Sequence, residues 1–363
     1  MENNHLEIIR KEIDKVDLEL SALIQKRMDL VTEVAEFKAK SGKGVLDKNR
    51  ENDVIQNVLS KVSKKEYKNN VQAVFECIMY NSREYQKMRI ENKDIIKSRY
   101  VVIGEKLSHS ISPDIHKQLF EKSNINAGYE LLEIPKTGIA EILDRLKKEG
   151  YTGINVTIPY KTDIIAYLDS VSDIVKRIGA VNTVKITEKY EGYNTDYYGF
   201  GKALDYYKFN PENKVCAVMG SGGATRAVVA YLEDHGISDI TIVTRNTESA
   251  VLKFPKQKST ELESFSAKGY DLVINATPVG MFPKTGYSPI RKEQLKGASF
   301  VMDLIYNPEE TMFLKFAQEL HIPNANGLYM LVAQAISSEE IWQGVTYDND
   351  IINDIYEKLK GQF

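Results

Sequence analysis

Residues 5–40 contain neither glycine nor proline, and their apolar side chains fall at helical spacing: Ile9, Ile13, Val16, Leu20, Leu23, Leu30, Val34 and Phe37. That pattern predicts one long helix, which at about 1.5 Å per residue reaches roughly 50 Å. Two shorter helices are expected after it, from Asp47 to Val62 and from Glu66 to Arg89. They are too short to cover the first, so its apolar stripe calls for a second copy of the chain.

At Arg99 the period changes. Short β-branched runs, "RYVVIG", "GINVTIP", "AVNTVKI", "VCAVMG", "DITIVT", "DLVINA" and "SFVMDLI", alternate with helical stretches. Alternating strands and helices predict an α/β fold with largely parallel sheets. The charged segment "MRIENKDIIKS" between the two regimes reads as a helix tail and linker. A chain of 363 residues is too long for one ordinary core, so two or three domains are expected. With 42% apolar residues, 27% charged residues and a net charge of -3, nothing favours nucleic acid or an anionic membrane as partner. Charge enters every turn of the N-terminal stretch, no later run reaches transmembrane length, and a cytoplasmic protein is expected. Cys77 and Cys216 lie in apolar helix and strand contexts and are expected to be buried thiols, and the five histidines lack metal-ligand spacing, so no metal site is expected.

The segment "GSGGATR" follows the strand Val215–Met219 and opens a helix at Ala224. Its Gly220, Ser221, Gly222, Gly223 and Ala224 offer backbone N–H groups and a helix N-terminus to a pyrophosphate, although Thr225 stands where the full glycine fingerprint has glycine. A bare tight turn is the alternative. The next strand ends in Thr244, Arg245 and Asn246, where an NAD site offers an acidic residue to the ribose. Arginine there suits the 2′-phosphate of NADP, the other reading being an ordinary surface arginine.

Three upstream segments gather polar groups at strand ends: "LSHSISPDIH", "NVTIPYKTD" and "AVNTVKITEKYEGYNTDYYGFG". Singly they read as turns and caps, together as a polar pocket. With these motifs in order, residues 99–363 resemble shikimate dehydrogenase. The resemblance implies a two-domain α/β enzyme with a Rossmann-like NADP domain at 207–325, and a substrate domain at 96–206 completed by helices in 326–363. It implies that Ser110 and Ser112 bind the substrate carboxylate, that Thr157, Asn182 and Gln334 contact the ring and its hydroxyls, and that Lys161 and Asp196 are the catalytic pair. As hydride leaves carbon, the alcohol proton needs a nearby acceptor, which such a pair supplies. Asn275, Thr277 and Leu304 are implied beside the cofactor, and Tyr306 beside the substrate. The sequence departs from the family pattern at Lys106, at Ser221 and in the order Thr244-Arg245-Asn246.

On the first helix Arg27, Val31, Val34 and Lys38 share a face, so two cations stand beside two valines expected in the core. Asp47, Arg50 and Glu51 open the second helix. Ser82 and Gln86 lie four apart on the third, with Ser82 on the stripe of Val71, Phe75 and Ile78. Polar groups from three helices facing one core read as a pocket for a compact dianion. Residues 5–90 resemble the all-helical chorismate mutases, whose expected positions are filled by Arg10, Arg27, Lys38, Asp47, Arg50, Glu51, Ser82 and Gln86. The resemblance implies an intertwined three-helix dimer at residues 1–95. In it the arginines grip two carboxylates, Lys38 and Gln86 address the ether oxygen, Glu51 orients the ring hydroxyl, and Asp47 and Ser82 support them. Arg10 lies 17 residues from Arg27, roughly 25 Å along a straight helix, so it is expected to reach the partner's pocket. The alternative reading is a quinate or shikimate dehydrogenase using NAD, whose helical domain only dimerises or senses a ligand.

Overall fold

The structure is a computed structural model that describes residues 2–41, 44–91, 98–107, 110–135 and 138–363. It divides into two compact units, Met1–Ile96 and Lys97–Phe363. Most of the expected linker, and the expected boundary at 95/96, lie outside the described residues.

The first unit holds α1 (Glu2–Ser41), α2 (Lys48–Lys61) and α3 (Lys68–Glu91). The absence of any helix breaker lets α1 run 40 residues without interruption. The Asp47 carboxylate accepts from Arg50 N at 3.0 Å and so sets the start of α2. α3 begins at Lys68 rather than Glu66 because Lys65–Tyr67 form a 3-10 turn. α1 packs along α3, and α3 along α2. Contacts from Arg27 to Ser82 and from Thr32 to Tyr85 advance together, so α1 and α3 run in the same direction.

This packing buries Val31, Ala35 and Met79. Ile9, Ile13, Val16, Leu20 and Leu23 remain exposed, Leu23 to 64%. Val34, expected in the core, is exposed as well. The face of α1 buried against α3 carries Val31 and Ala35, one turn apart, and Val34 is rotated off the middle of it by about 80°. Cys77 is also exposed, contrary to expectation, whereas Cys216 is buried in a strand.

The second unit begins with β1 (Ser98–Gly104), α4 (Ser112–Ser123), β2 (Ala127–Glu133), α5 (Ile139–Lys148), β3 (Tyr151–Val156), β4 (Ser170–Val171), α6 (Asp173–Ile178), β5 (Thr183–Ile186), β6 (Tyr190–Tyr193) and α7 (Asp196–Tyr206). Its first sheet has the order β2-β1-β3-β5-β6-β4. β1 pairs in parallel with β2 and β3, but β5 lies antiparallel to both β3 and β6. The sheets are largely parallel, as expected, and β5 is the exception: its connection to β6 spans only 187–189, which permits a hairpin and no crossover.

There follow β7 (Val215–Met219), α8 (Gly223–Asp234), β8 (Asp239–Thr244), α9 (Thr247–Lys253), β9 (Lys258–Glu261), β10 (Leu272–Asn275), α10 (Lys292–Leu295), β11 (Phe300–Asp303), α11 (Met312–Glu319), β12 (Asn324–Ala325), α12 (Leu328–Gln343) and α13 (Asn349–Leu359). The second sheet has the order β12-β11-β10-β7-β8-β9 and is parallel throughout. Its strand order reverses between β7 and β10, the place where open α/β sheets leave a ligand crevice at their carboxyl ends.

α7 and α12 join the two sheets into one body. A Cβ on Gly199 of α7 would stand 2.8 Å from Met330 O and 2.9 Å from Gln334 N of α12, and one on Gly201 would stand 2.2 Å from the Tyr231 ring of α8. Only glycine lets α7 approach α12 so closely. At its other end α12 sets Trp342 on Gly153 of β3, with Trp342 Nε1 donating to Val184 O at 2.9 Å. Gly199→Ala is therefore expected to lower stability by about 1–3 kcal/mol through overpacking. By moving Gln334 away from Asp196 it should also weaken the site that both line. Denaturant unfolding and substrate KM, measured on the same preparation, check this.

Candidate active sites

In the second unit the carboxyl ends of β1 and β3 lie side by side, with Thr157 N donating to Ile103 O at 3.0 Å. The loops that follow these strands carry Ser110 and Ser112 on one side and Thr157 and Lys161 on the other. Ser110 Oγ donates to Ser112 Oγ at 3.2 Å, and Ser112 opens α4. Lys161 Nζ donates to Asp196 Oδ2 at 2.6 Å, and both side chains are mostly buried. Asn182 holds the carboxylate from its other side, its Nδ2 donating to Asp196 Oδ1 at 2.9 Å while its Oδ1 accepts from Thr195 N at 2.7 Å. Gln334 Oε1 lies 3.4 Å from both Asn182 Nδ2 and Thr195 Oγ1. Burial raises the Tyr306 hydroxyl pKa, and the nearby Ile111 backbone, which acts to lower it, places the hydroxyl beside the serine loop.

The structure thus brings Lys161, Asn182, Asp196 and Gln334 together, with Ser110, Ser112, Thr157 and Tyr306 on the neighbouring loops. Sequence reading missed the residues behind them. Asn155 Nδ2 donates to Asn182 O at 3.2 Å, to Thr183 Oγ1 at 3.2 Å and to Ser338 Oγ at 3.0 Å. Tyr129 OH donates to Asn155 Oδ1 at 2.6 Å. The available signal was an asparagine inside the apolar run "GINVTIP", because a polar side chain in a buried strand needs partners.

The glycine turn stands at the reversal point of the second sheet. Gly220 has φ of 103°, a conformation that favours glycine, and a Cβ there would lie 3.0 Å from Thr277 Cγ2. Above Gly222 a Cβ would meet nothing within 4 Å, and at Gly223 it would lie 3.9 Å from Lys161 Cδ. The turn therefore opens onto space bordered by Lys161. α8 starts there without a side-chain cap and without an acidic residue in its first turn, which leaves its N–H groups and positive dipole end for an anion. These residues fit a dinucleotide pyrophosphate. Thr244 is half-buried and Arg245 is exposed at the end of β8, next to the turn.

Two residues expected at the cofactor have clear structural tasks. Asn246 caps α9, accepting from Ser249 N at 2.8 Å. Asn275 is fully buried, donating to Asp303 Oδ1 at 3.0 Å and accepting from Thr277 N at 3.0 Å and Thr277 Oγ1 at 2.6 Å. Asp303 also accepts from Thr311 Oγ1 at 2.6 Å and Ile305 N at 3.0 Å, and burial pushes its carboxyl up to about 6. Leu304 is packed so tightly that a Cβ on Gly327 would lie 2.0 Å from its carbonyl oxygen. These bonds shape the turn that carries Thr277.

In the first unit Arg27 Nη1 donates to Ser82 Oγ, which itself donates to Ile78 O at 2.7 Å. Partial burial lowers the Arg27 pKa. One turn beyond Ser82, Gln86 is more than nine-tenths buried, and its Oε1 has no hydrogen-bond partner among the described residues. Glu51 pairs with Arg83, a residue the sequence reading did not single out, so the start of α2 reaches the Ser82 turn of α3. Lys38 Nζ donates to Val45 O at 2.7 Å, and Asp47 is engaged as the α2 cap. Arg50 and Arg10 are exposed, and Arg10 lies too far along α1 to join Arg27 in one chain.

A parallel sheet with an anion-ready glycine turn, facing an amide-held Lys–Asp pair, defines a dinucleotide-dependent dehydrogenase carrying a separate helical unit. The family profile "Shikimate dehydrogenase substrate binding domain" matches residues 102–184, and "Chorismate mutase type II" matches residues 9–87. A shikimate dehydrogenase (NADP(+)) of Clostridium beijerinckii is 41% identical over 266 residues, spanning 73% of this chain and 98% of that protein. Among solved structures, a chorismate mutase/shikimate 5-dehydrogenase fusion protein from Clostridium acetobutylicum is 46% identical with a TM-score of 0.71, over 73% of this chain and 98% of that one. A shikimate 5-dehydrogenase from Thermus thermophilus, in complex with NADP(H) and shikimate, is 30% identical with a TM-score of 0.66, over 72% and 99%. The chain belongs to the shikimate dehydrogenase family, and its N-terminal unit is a type II chorismate mutase domain.

Proposed function

We propose that the chain catalyses two steps of aromatic biosynthesis: rearrangement of chorismate to prephenate in the helical unit, and reversible NADPH-dependent reduction of 3-dehydroshikimate to shikimate in the α/β unit. The observation that carries the second activity is the Lys161–Asp196 pair at 2.6 Å beside the open glycine turn. NADP supplies the hydride acceptor or donor. Lys161 and Asp196 carry the hydroxyl proton away in the oxidation direction, with Asn182 fixing the carboxylate so that only one of its oxygens faces Lys161. Ser110 and Ser112 take the substrate carboxylate, with Thr157, Tyr306 and Gln334 on the ring side. Gly220 to Ala224 would cradle the pyrophosphate, Asn275, Thr277 and Leu304 would line the nicotinamide side, and Thr244, Arg245 and Asn246 would meet the adenosine phosphate. The name of the Clostridium beijerinckii relative supports NADP over the NAD and quinate alternative.

For the mutase, a pericyclic rearrangement needs a compactly held substrate and a stabilised ether oxygen, and no nucleophile. Arg27, Arg50 and Arg10 hold the carboxylates, Lys38 and Gln86 address the ether oxygen, Glu51 the ring hydroxyl, and Asp47 and Ser82 support them. The homodimer forms through the exposed stripe of α1, and Arg10 enters the partner's pocket. No helix among the described residues is long and apolar enough to cross a membrane, and a cytoplasmic location is part of the proposal.

Assaying both reactions on the full chain tests the whole reading. Lys161→Ala should lower dehydrogenase kcat by about a hundredfold or more with little change in shikimate KM, while chorismate turnover persists. A near-normal kcat would make Lys161 a substrate clamp. Arg245→Ala should raise KM for NADP far more than for NAD, since a charge-assisted phosphate contact contributes about 1.5–3 kcal/mol. Equal effects on both cofactors would refute that assignment. Arg10→Ala and Arg27→Ala should each abolish mutase activity, yet regain about a quarter of it when unfolded together and refolded, because half the dimers are then hybrids with one intact pocket. Absence of recovery in confirmed hybrids would remove Arg10 from the partner's site.

A further inference from the structure

His116 and Glu339 are a fully buried pair outside the reacting groups, 1% and 0% exposed, with His116 Nδ1 donating to Glu339 Oε1 at 2.6 Å. Burying two such groups is costly unless the bond between them is fixed. His116 Nε2 has no partner among the described residues, so Glu339 is the anchor of the imidazole. Gln343 Nε2, one turn along α12, holds the other carboxylate oxygen at 2.5 Å. The pair therefore fastens α4 to α12.

Both helices carry site residues. Ser112 lies one turn before His116 on α4, and Gln334 lies before Glu339 on α12. The face of the His116 ring is stacked on Tyr129, with centroids 3.8 Å apart and planes 13° apart. The Tyr129 hydroxyl donates to Asn155 Oδ1 at 2.6 Å; burial raises its pKa, and it lies beside Ser112, whose hydroxyl acts to lower it. Asn155 continues to Ser338 and to the backbone of Asn182, whose amide holds Asp196. A line of buried hydrogen bonds thus runs from Tyr129 to the Lys161–Asp196 pair, and the anchored imidazole stacked on Tyr129, one turn past Ser112 on α4, fixes its first member.

We propose that His116, Glu339 and Tyr129 form a positioning unit that sets the Ser110–Ser112 end of the substrate pocket relative to its Gln334–Asp196 end. This rests on the dehydrogenase reading above. None of the three is a catalytic residue. They act through Ser112 and Asn155, so their loss falls on substrate affinity and spares the glycine turn.

The test uses the full chain with shikimate and NADP, beginning with the unaltered enzyme. If that enzyme does not oxidise shikimate, the functional reading fails and this proposal with it. Given that activity, Glu339→Ala should raise shikimate KM about tenfold while NADP KM stays within about twofold, the latter also reporting that the unit is folded. Glu339→Gln keeps an acceptor for His116 and should recover most of the loss. Tyr129→Phe keeps the stacked ring but cuts the hydroxyl link, and should raise shikimate KM about fivefold. The proposal is overturned by an unchanged shikimate KM in Tyr129→Phe, by NADP KM rising in step with that of shikimate, or by Glu339→Gln behaving no better than Glu339→Ala. If Glu339→Ala does not fold, Tyr129→Phe decides alone.

Discussion

The backbone contact between α7 and α12 is the constraint on which the α/β unit depends. Gly199 lets the two helices meet at a separation that no other side chain permits, with the Gln334 backbone at the point of contact. α7 presents Asp196 at its first turn, and α12 presents Gln334 and Ser338 along its length. Closing that gap is what allows Asn182, on the loop before β5, to bond Asp196 and reach Gln334 at once. A polar network of this kind stabilises only when every member is satisfied, and satisfaction here needs the glycine contact.

The same helices explain why two sheets form one site. Each sheet ends its central strands at a reversal of strand order, β1 and β3 in the first, β7 and β10 in the second, and each therefore leaves a crevice at its carboxyl edge. α12 starts where Gly327 packs on Leu304, at the end of β11, and finishes where Trp342 packs on Gly153 of β3. It spans from one crevice wall to the other. Lys161 therefore stands within van der Waals range of where a side chain on Gly223 would be, so the Lys161–Asp196 pair and the glycine turn border one space. Arg226, in the first turns of α8, donates to Ile178 O of α6 at 3.1 Å and ties the walls together beside that cleft.

Much of this was legible in the sequence because it rests on local rules. Helical period and missing breakers give α1; a strand, glycines and a helix give the cradle; strand-end polar clusters give a polar pocket, in which the resemblance to shikimate dehydrogenase singles out Ser110, Lys161 and Asp196. What escaped was decided by tertiary contact. Val34 and Val31 look alike on a helical wheel, and only the packing of α3 shows which is covered. The antiparallel turn of β5 and β6 leaves no mark in the composition of either strand. Asn155, His116 and Glu339 read as ordinary polar residues until the fold buries them. Asn246 and Asn275 carry a cofactor expectation by position, and the fold adds to it a helix cap for one and a turn for the other. Such residues shape a site without having to touch what binds there.

The two units differ in how they achieve stability. The α/β unit buries apolar clusters on both faces of its second sheet. In the helical unit only Val31 and Ala35 of the long first helix are buried among the described residues, against six large apolar residues left open from Ile9 to Leu23. Burying each of those contributes about 1.5–3 kcal/mol, a sum comparable to the whole stability of a small domain. On the proposed reading, the partner copy supplies that burial together with Arg10. On that reading, dimerisation, folding and catalysis in the helical unit become one event. A substitution on the α1 stripe is therefore felt first in the mutase, and one behind the Lys161–Asp196 pair only in the dehydrogenase.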